Sequence, residues 1–114
     1  MGWTCLRERD RLLLEDLRDH TQEALAFLGS SSLESYLQDR ALQLITERLL
    51  EVLGEAGGSL SEEAREQVPF DWRAVRGLRN ILAHQYGDID HRLLYGIVKN
   101  RLPALLDAVH SAPR

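Results

Sequence analysis

Asp71-Trp72-Arg73-Ala74-Val75-Arg76-Gly77-Leu78-Arg79-Asn80-Ile81-Leu82-Ala83-His84-Gln85-Tyr86 is the stretch on which the reading of this chain turns. Asp71 is a good N-cap, because its carboxylate can accept a backbone N–H that the first helical turn leaves unpaired, so a helix is expected from Trp72 to about Tyr86. At about 100° per residue, Val75, Leu78, Ile81 and Leu82 fall within one third of the circumference and should face a core. Arg76, Asn80, Ala83 and His84 gather on nearly the opposite side, with Arg79 and Tyr86 on the flank between. Asn80 and His84, four residues apart, are neighbours on that surface. A guanidinium, an amide, an imidazole and a phenol within eight residues, Arg79 to Tyr86, form a set able to do chemistry on phosphate. Such a helix face is either solvated or half of a site that another surface completes. Residue by residue, the bland roles are an Arg paired with a carboxylate, a His set against the helix dipole, and a Tyr half-buried for packing.

Working outward, helical periodicity continues in both directions. Leu13, Leu14, Leu17, Ala24, Leu25 and Leu28 mark one amphipathic helix over about residues 6–28, ended by Gly29. Ser31 and Glu34 have the spacing of a capping box and should open a short helix carrying Leu33, Tyr36 and Leu37. Leu42, Ile45, Leu49, Val52 and Leu53 stripe a third helix over about 39–56, with Gly57-Gly58 expected to stop it. Ser59 with Glu62 suggests a second capping box and a short acidic helix to about Gln67, before Pro69 breaks the chain. Asp90 should cap a last helix running to about Val109 and kinked at Pro103. No strand alternation and no internal repeat is present. The expectation is one all-α domain over 1–114, core about 6–110, built as an antiparallel four-helix bundle with one or two extra short helices.

Bulk properties narrow the function. The formal net charge of -4 argues against a protein that coats nucleic acid with its whole surface. The charge is uneven, however: residues 1–71 hold seven Arg against fifteen Asp or Glu, a net of -8, and residues 72–114 hold seven basic residues against three Asp, a net of +4. The basic part contains the polar helix. Thirteen of the fourteen basic residues are Arg. The lone Cys5 permits neither an internal disulfide nor a cysteine-built zinc site, which suits a reducing cytoplasm. No signal-peptide pattern and no run of about 18 apolar residues is seen, so no membrane association is expected.

The segment 71–86 strongly resembles the signature of the HepT family of HEPN-domain toxins, in which Arg is followed by His five positions on and by Tyr two positions after that, as Arg79, His84 and Tyr86 are here. Arg48-Leu49-Leu50-Glu51-Val52-Leu53-Gly54-Glu55-Ala56, the Asp88-Ile89-Asp90 turn and Val98-Lys99-Asn100-Arg101-Leu102-Pro103 resemble the same family in the same order, so the likeness covers roughly residues 9–110. Gln85 departs from the frequent Gly and bears on how the turn after the helix closes. The resemblance implies a homodimeric, metal-independent endoribonuclease with an HEPN-like fold and its cleft between two motif helices. It implies no cofactor. By the same resemblance Tyr86 is the target of an MntA-like nucleotidyltransferase antitoxin, which transfers AMP from ATP to the phenol. Arg79 and His84 are then the catalytic candidates and Asn80 a supporting one; Arg73, Arg76 and Lys99 are candidate RNA-backbone contacts, with a surface salt bridge the equal alternative for each. A non-catalytic helical subunit, docking a substrate or a nucleotidyltransferase, is the alternative; it has no chemical use for the full Arg, His and Tyr set.

Other polar residues read as structural. Trp72 and Trp3 could stack on bases, but Trp72, directly after the cap, is expected to be a packing anchor; His20, His91 and His110 show no ligand spacing and are expected at the surface. Asp88 and Asp90 read as turn and cap rather than a metal pair. Glu51 and Glu55, one turn apart, read as a wet helix face, unless they lie on the cleft, where they could meet Arg from a partner.

Overall fold

The computed structural model describes residues 6–83 and 88–112, and every regular element among them is a helix. They are α1 (Glu8–Leu28), α2 (Leu33–Leu37), α3 (Arg40–Ser59), α4 (Glu62–Gln67), α5 (Trp72–Ala83), α6 (His91–Asn100) and α7 (Leu102–His110). His84 and Tyr86, two of the residues singled out above, lie outside the described residues, as do Trp3 and Cys5.

Helix α1 is the spine. One face packs on α3 and the other on α6 and α7. Lys99 meets Gly29 and His110 meets Gln22, so α6 and α7 run antiparallel to α1. Leu17, Leu28, Leu50, Leu53, Leu94, Val98 and Leu105, each at most 1% exposed, form the centre of the core. Helix α5 lies on the far side of α3, where its packing is almost entirely against that one helix. The four-helix reading therefore holds with the fourth helix divided into α6 and α7. Among the described residues no helix is long and apolar enough to cross a membrane.

Four local expectations are corrected. Gly57-Gly58 does not stop α3, which runs on to Ser59, because the glycines serve a close helix crossing instead. A Cβ placed on Gly54 would lie 3.0 Å from Arg79 Cγ, one on Gly57 2.5 Å from Val75 Cγ1, and one on Gly58 3.3 Å from Arg76 Cγ. Rising numbers on α3 meet falling numbers on α5, so the two helices are antiparallel.

Both serine caps sit one or two residues later than the capping-box spacing suggests. Ser32 caps α2 by accepting the Ser35 N–H, and Ser61 caps α4 by accepting the Ala64 N–H, each at 3.1 Å. Ser61 is chosen by a tertiary contact: its N–H and hydroxyl donate to the two carboxylate oxygens of buried Asp10, at 2.9 and 2.7 Å. The last helix is two rather than one kinked helix. It breaks at Arg101 (φ -113, ψ -36), placing Pro103 in the first turn of α7, where its missing N–H would have had no helical partner.

Asp71 and Asp90 cap their helices as expected, and Asp39, expected as the start of the third helix, is its cap. Asp39, Asp71 and Asp90 accept the N–H groups of Leu42, Ala74 and Leu93 at 3.0 to 3.2 Å. Trp72 is the expected packing anchor. It is buried, donates from its indole to Val68 O at 2.8 Å and meets Phe70 edge-on.

Candidate active groove

Two helices build the site. On α5, Val75 and Leu78 are buried against α3, while Ile81 and Leu82 are only half-buried, so the inward arc is narrower than the periodicity suggested. Anchored by that short arc, α5 turns Arg73, Arg76, Arg79 and Asn80 outward; all four are exposed. They line one open groove of about 660 Å³, and the opposite wall is α3, through Glu51 and Glu55. Arg79, expected on a flank, thus shares one space with Arg76 and Asn80.

The crossing explains why the groove exists. Where two helices approach on bulky side chains, long residues at the seam fold over one another; bare backbone at Gly54 and Gly58 lets the stems of Arg79 and Arg76 lie directly on α3. Glu51 is tied to Arg48 at 2.6 Å. Among the described residues, no carboxylate lies within 4.0 Å of the guanidinium of Arg73, Arg76 or Arg79. Three solvated guanidiniums on one helix face are suited to an extended polyanion, since each can give two parallel N–H bonds to a phosphate.

Lys99 is not brought there. Its ammonium donates to Gly29 O at 2.6 Å, over the C-terminal end of α1, and lies 5.7 Å from the centre of the Tyr95 ring. That contact satisfies an orphan helix carbonyl. His91 departs from expectation too. It is half-buried, its ring edge-on to Tyr36 at 6.3 Å, with Nδ1 3.9 Å from Glu47 Oε2. Tyr36 itself is fully buried, and burial raises its phenol above the usual tyrosine range. The Thr46 hydroxyl opposes that rise and the Glu47 carboxylate adds to it. Nothing in the sequence marks this pairing, because Tyr36, Glu47 and His91 come from α2, α3 and α6.

The model of the family described as ribonuclease HepT-like matches residues 17–112, a span that includes both walls of the groove. The chain belongs to this family. Among HepT-like relatives, a Methanocaldococcus jannaschii protein provisionally named an RNase is 30% identical over 102 residues, covering 88% of this chain and 94% of that protein. A Thermococcus cleftensis protein named a probable ribonuclease HepT is 30% identical over 93 residues, covering 81% and 84%. A third, from Caldanaerobacter subterraneus and also provisionally named an RNase, is 29% identical over 98 residues, covering 83% and 86%. No solved structure matches. Membership in a ribonuclease family accords with the all-α architecture and with a groove lined by arginines.

Proposed function

We propose that the chain is a metal-independent endoribonuclease toxin that acts as a homodimer in the cytoplasm and is silenced by a nucleotidyltransferase antitoxin. The observation that carries the reading is the convergence of Arg73, Arg76, Arg79 and Asn80 on one open groove in a HepT-like chain. In this mechanism His84 accepts the proton of a ribose 2′-hydroxyl as that oxygen attacks the phosphorus. The bond from phosphorus to the 5′-oxygen breaks, and the His84 of a second copy donates a proton to that leaving oxygen. A 2′,3′-cyclic phosphate and a 5′-hydroxyl result. The unperturbed imidazole pKa, about 6.5, suits both a general base and a general acid near neutral pH. Arg79 binds the scissile phosphate and stabilises the charge of its pentavalent transition state; Asn80 orients the imidazole or holds a phosphate oxygen. A second copy is proposed because, were the helical period to continue from Arg79 to His84, the two would diverge by about 140°, which a two-fold axis remedies.

Incubating the purified chain with single-stranded RNA in EDTA is expected to yield cyclic-phosphate ends. Arg79→Ala is expected to lower kcat by about 100- to 1,000-fold, the scale of losing one transition-state donor. A strict requirement for a divalent metal overturns the mechanism. Intact binding of a nucleotidyltransferase with no cleavage under any condition establishes the docking subunit instead.

Tyr86 is the proposed switch. AMP on its hydroxyl would add phosphate charge near Arg79 and occupy the path of the RNA. Co-expression with an MntA-like partner is expected to raise the mass of the chain by at least one AMP, and Tyr86→Phe to abolish the gain. An unmodified chain that is nonetheless neutralised points to inhibition by binding alone.

A further inference from the structure

Arg79 is exposed at its tip but confined at its root. A Cβ on Gly54 would meet Arg79 Cγ at 3.0 Å, the Arg79 backbone N at 3.2 Å and Leu78 Cβ at 3.2 Å. Backbone N and Leu78 Cβ are fixed parts of α5, so an added methyl would have to shift either the helix or the first torsions of Arg79. The neighbouring glycines differ in kind. Gly57 faces the core through Val75, and Gly58 faces only the flexible stem of Arg76, at 3.3 and 3.9 Å. Gly54 alone among the three touches Arg79. Glycine inside a helix is less favourable than alanine because it loses more backbone freedom, and α3 accepts that loss mid-helix at Gly54. Local costs of this kind concentrate where function fixes geometry.

We propose that Gly54 is a positioning residue for the RNA-cleaving site: by leaving bare backbone under the Arg79 stem, it sets where the guanidinium stands in the groove. The inference rests on the reading of Arg79 as the phosphate ligand. Its effect is separable from stability, because Ala at Gly54 adds helix propensity while crowding the α5 contact.

The test compares Gly54→Ala with Gly96→Ala. At Gly96, on α6 and away from the groove, a Cβ meets nothing nearer than Asn100 Nδ2 at 3.8 Å. With a fluorescent single-stranded oligoribonucleotide, Gly54→Ala is expected to lower kcat/KM by about 10- to 100-fold, the scale of a misplaced catalytic group, while Gly96→Ala stays at the wild-type rate. In an Arg79→Ala background, Gly54→Ala is expected to cause no further loss, since it acts through the missing side chain. The Arg79 Nε–H resonance is expected to move in Gly54→Ala and to stay in place in Gly96→Ala.

Wild-type cleavage by Gly54→Ala overturns the inference and leaves the nuclease reading standing. An equal loss with and without Arg79, or a variant without a cooperative melt, makes the role structural and likewise overturns it. If the wild-type chain cleaves no RNA, the catalytic reading falls, and the resonance comparison alone decides whether Gly54 seats Arg79.

Discussion

Tyr36 shows how a residue with no direct part in the groove is still tied to its surroundings. Among the described residues its buried hydroxyl has no partner in good hydrogen-bonding geometry, and the phenol is held above its usual range. The unfolded chain therefore releases this proton near pH 10, while the folded chain still holds it. Stability is thus fully present below about pH 10 and falls as pH rises beyond it, because the native state then binds more protons than the unfolded state. Tyr36→Phe should change stability by no more than about 1 kcal/mol at pH 7, since the hydroxyl it removes makes no well-formed hydrogen bond among the described residues. Above pH 10 it should hold a growing advantage over wild type in urea melts. Parallel stability curves from pH 8 to 11 contradict this. At the same scale, the caps at Asp71 and Asp90 were readable because a cap is a contact within four residues. The Tyr36, Glu47 and His91 grouping was not, because it joins three helices far apart in the chain.

At the scale of elements, the seam between α3 and α5 decides both packing and site. Gly57→Ala brings a methyl within 2.5 Å of Val75 Cγ1, on a buried and β-branched side chain with little freedom to move. Overpacking of about 1–3 kcal/mol should outweigh the gain in helix propensity of up to about 1 kcal/mol, and the variant should be less stable. Gly77→Ala, inside α5 with open space around it, should instead be more stable by about 0.5–1 kcal/mol. Urea denaturation of the pair reads the opposite signs, and a shared sign refutes this account of the seam. The glycines also mark where sequence reading of an element runs out. In the chain, Gly57-Gly58 has the form of a stop signal; it becomes a contact surface only once α5 lies across it. The helix pattern places Arg76 and Asn80 together on an outer face and Arg79 on its flank; the family resemblance singles out Arg79, and Arg73 enters only as a candidate RNA-backbone contact. That α3 supplies their opposite wall through Glu51 and Glu55 was legible only as a conditional, since the pattern shows two acids on one face and not what that face meets.

For the whole molecule, dimensions of 50 × 28 × 19 Å describe a slab about two helices thick, given helix diameters of about 10 Å. Its radius of gyration, 14.5 Å, exceeds the roughly 13 Å expected of a compact chain of this length. An elongated body whose outermost helix, α5, packs mainly on one neighbour leaves side-chain surface for a second copy, which suits the proposed homodimer. The all-α class was legible because every long segment shows the same period, and the family signature spans nearly the whole chain. The Asp10–Ser61 clasp was not, since its partners stand 51 positions apart. That separation also gives the clasp a place in time. Asp10 and Ser61 can meet only after α1 and α3 have docked along most of their length, so the bond should form on the native side of the folding barrier. Asp10→Ala should accordingly leave the refolding rate nearly unchanged and accelerate unfolding, a pattern stopped-flow chevrons resolve; slowed refolding would place the clasp in the nucleus instead. In the native ensemble the same bond is then a latch on lifetime rather than a guide to the fold, holding closed a molecule whose shape has already been decided by its helices.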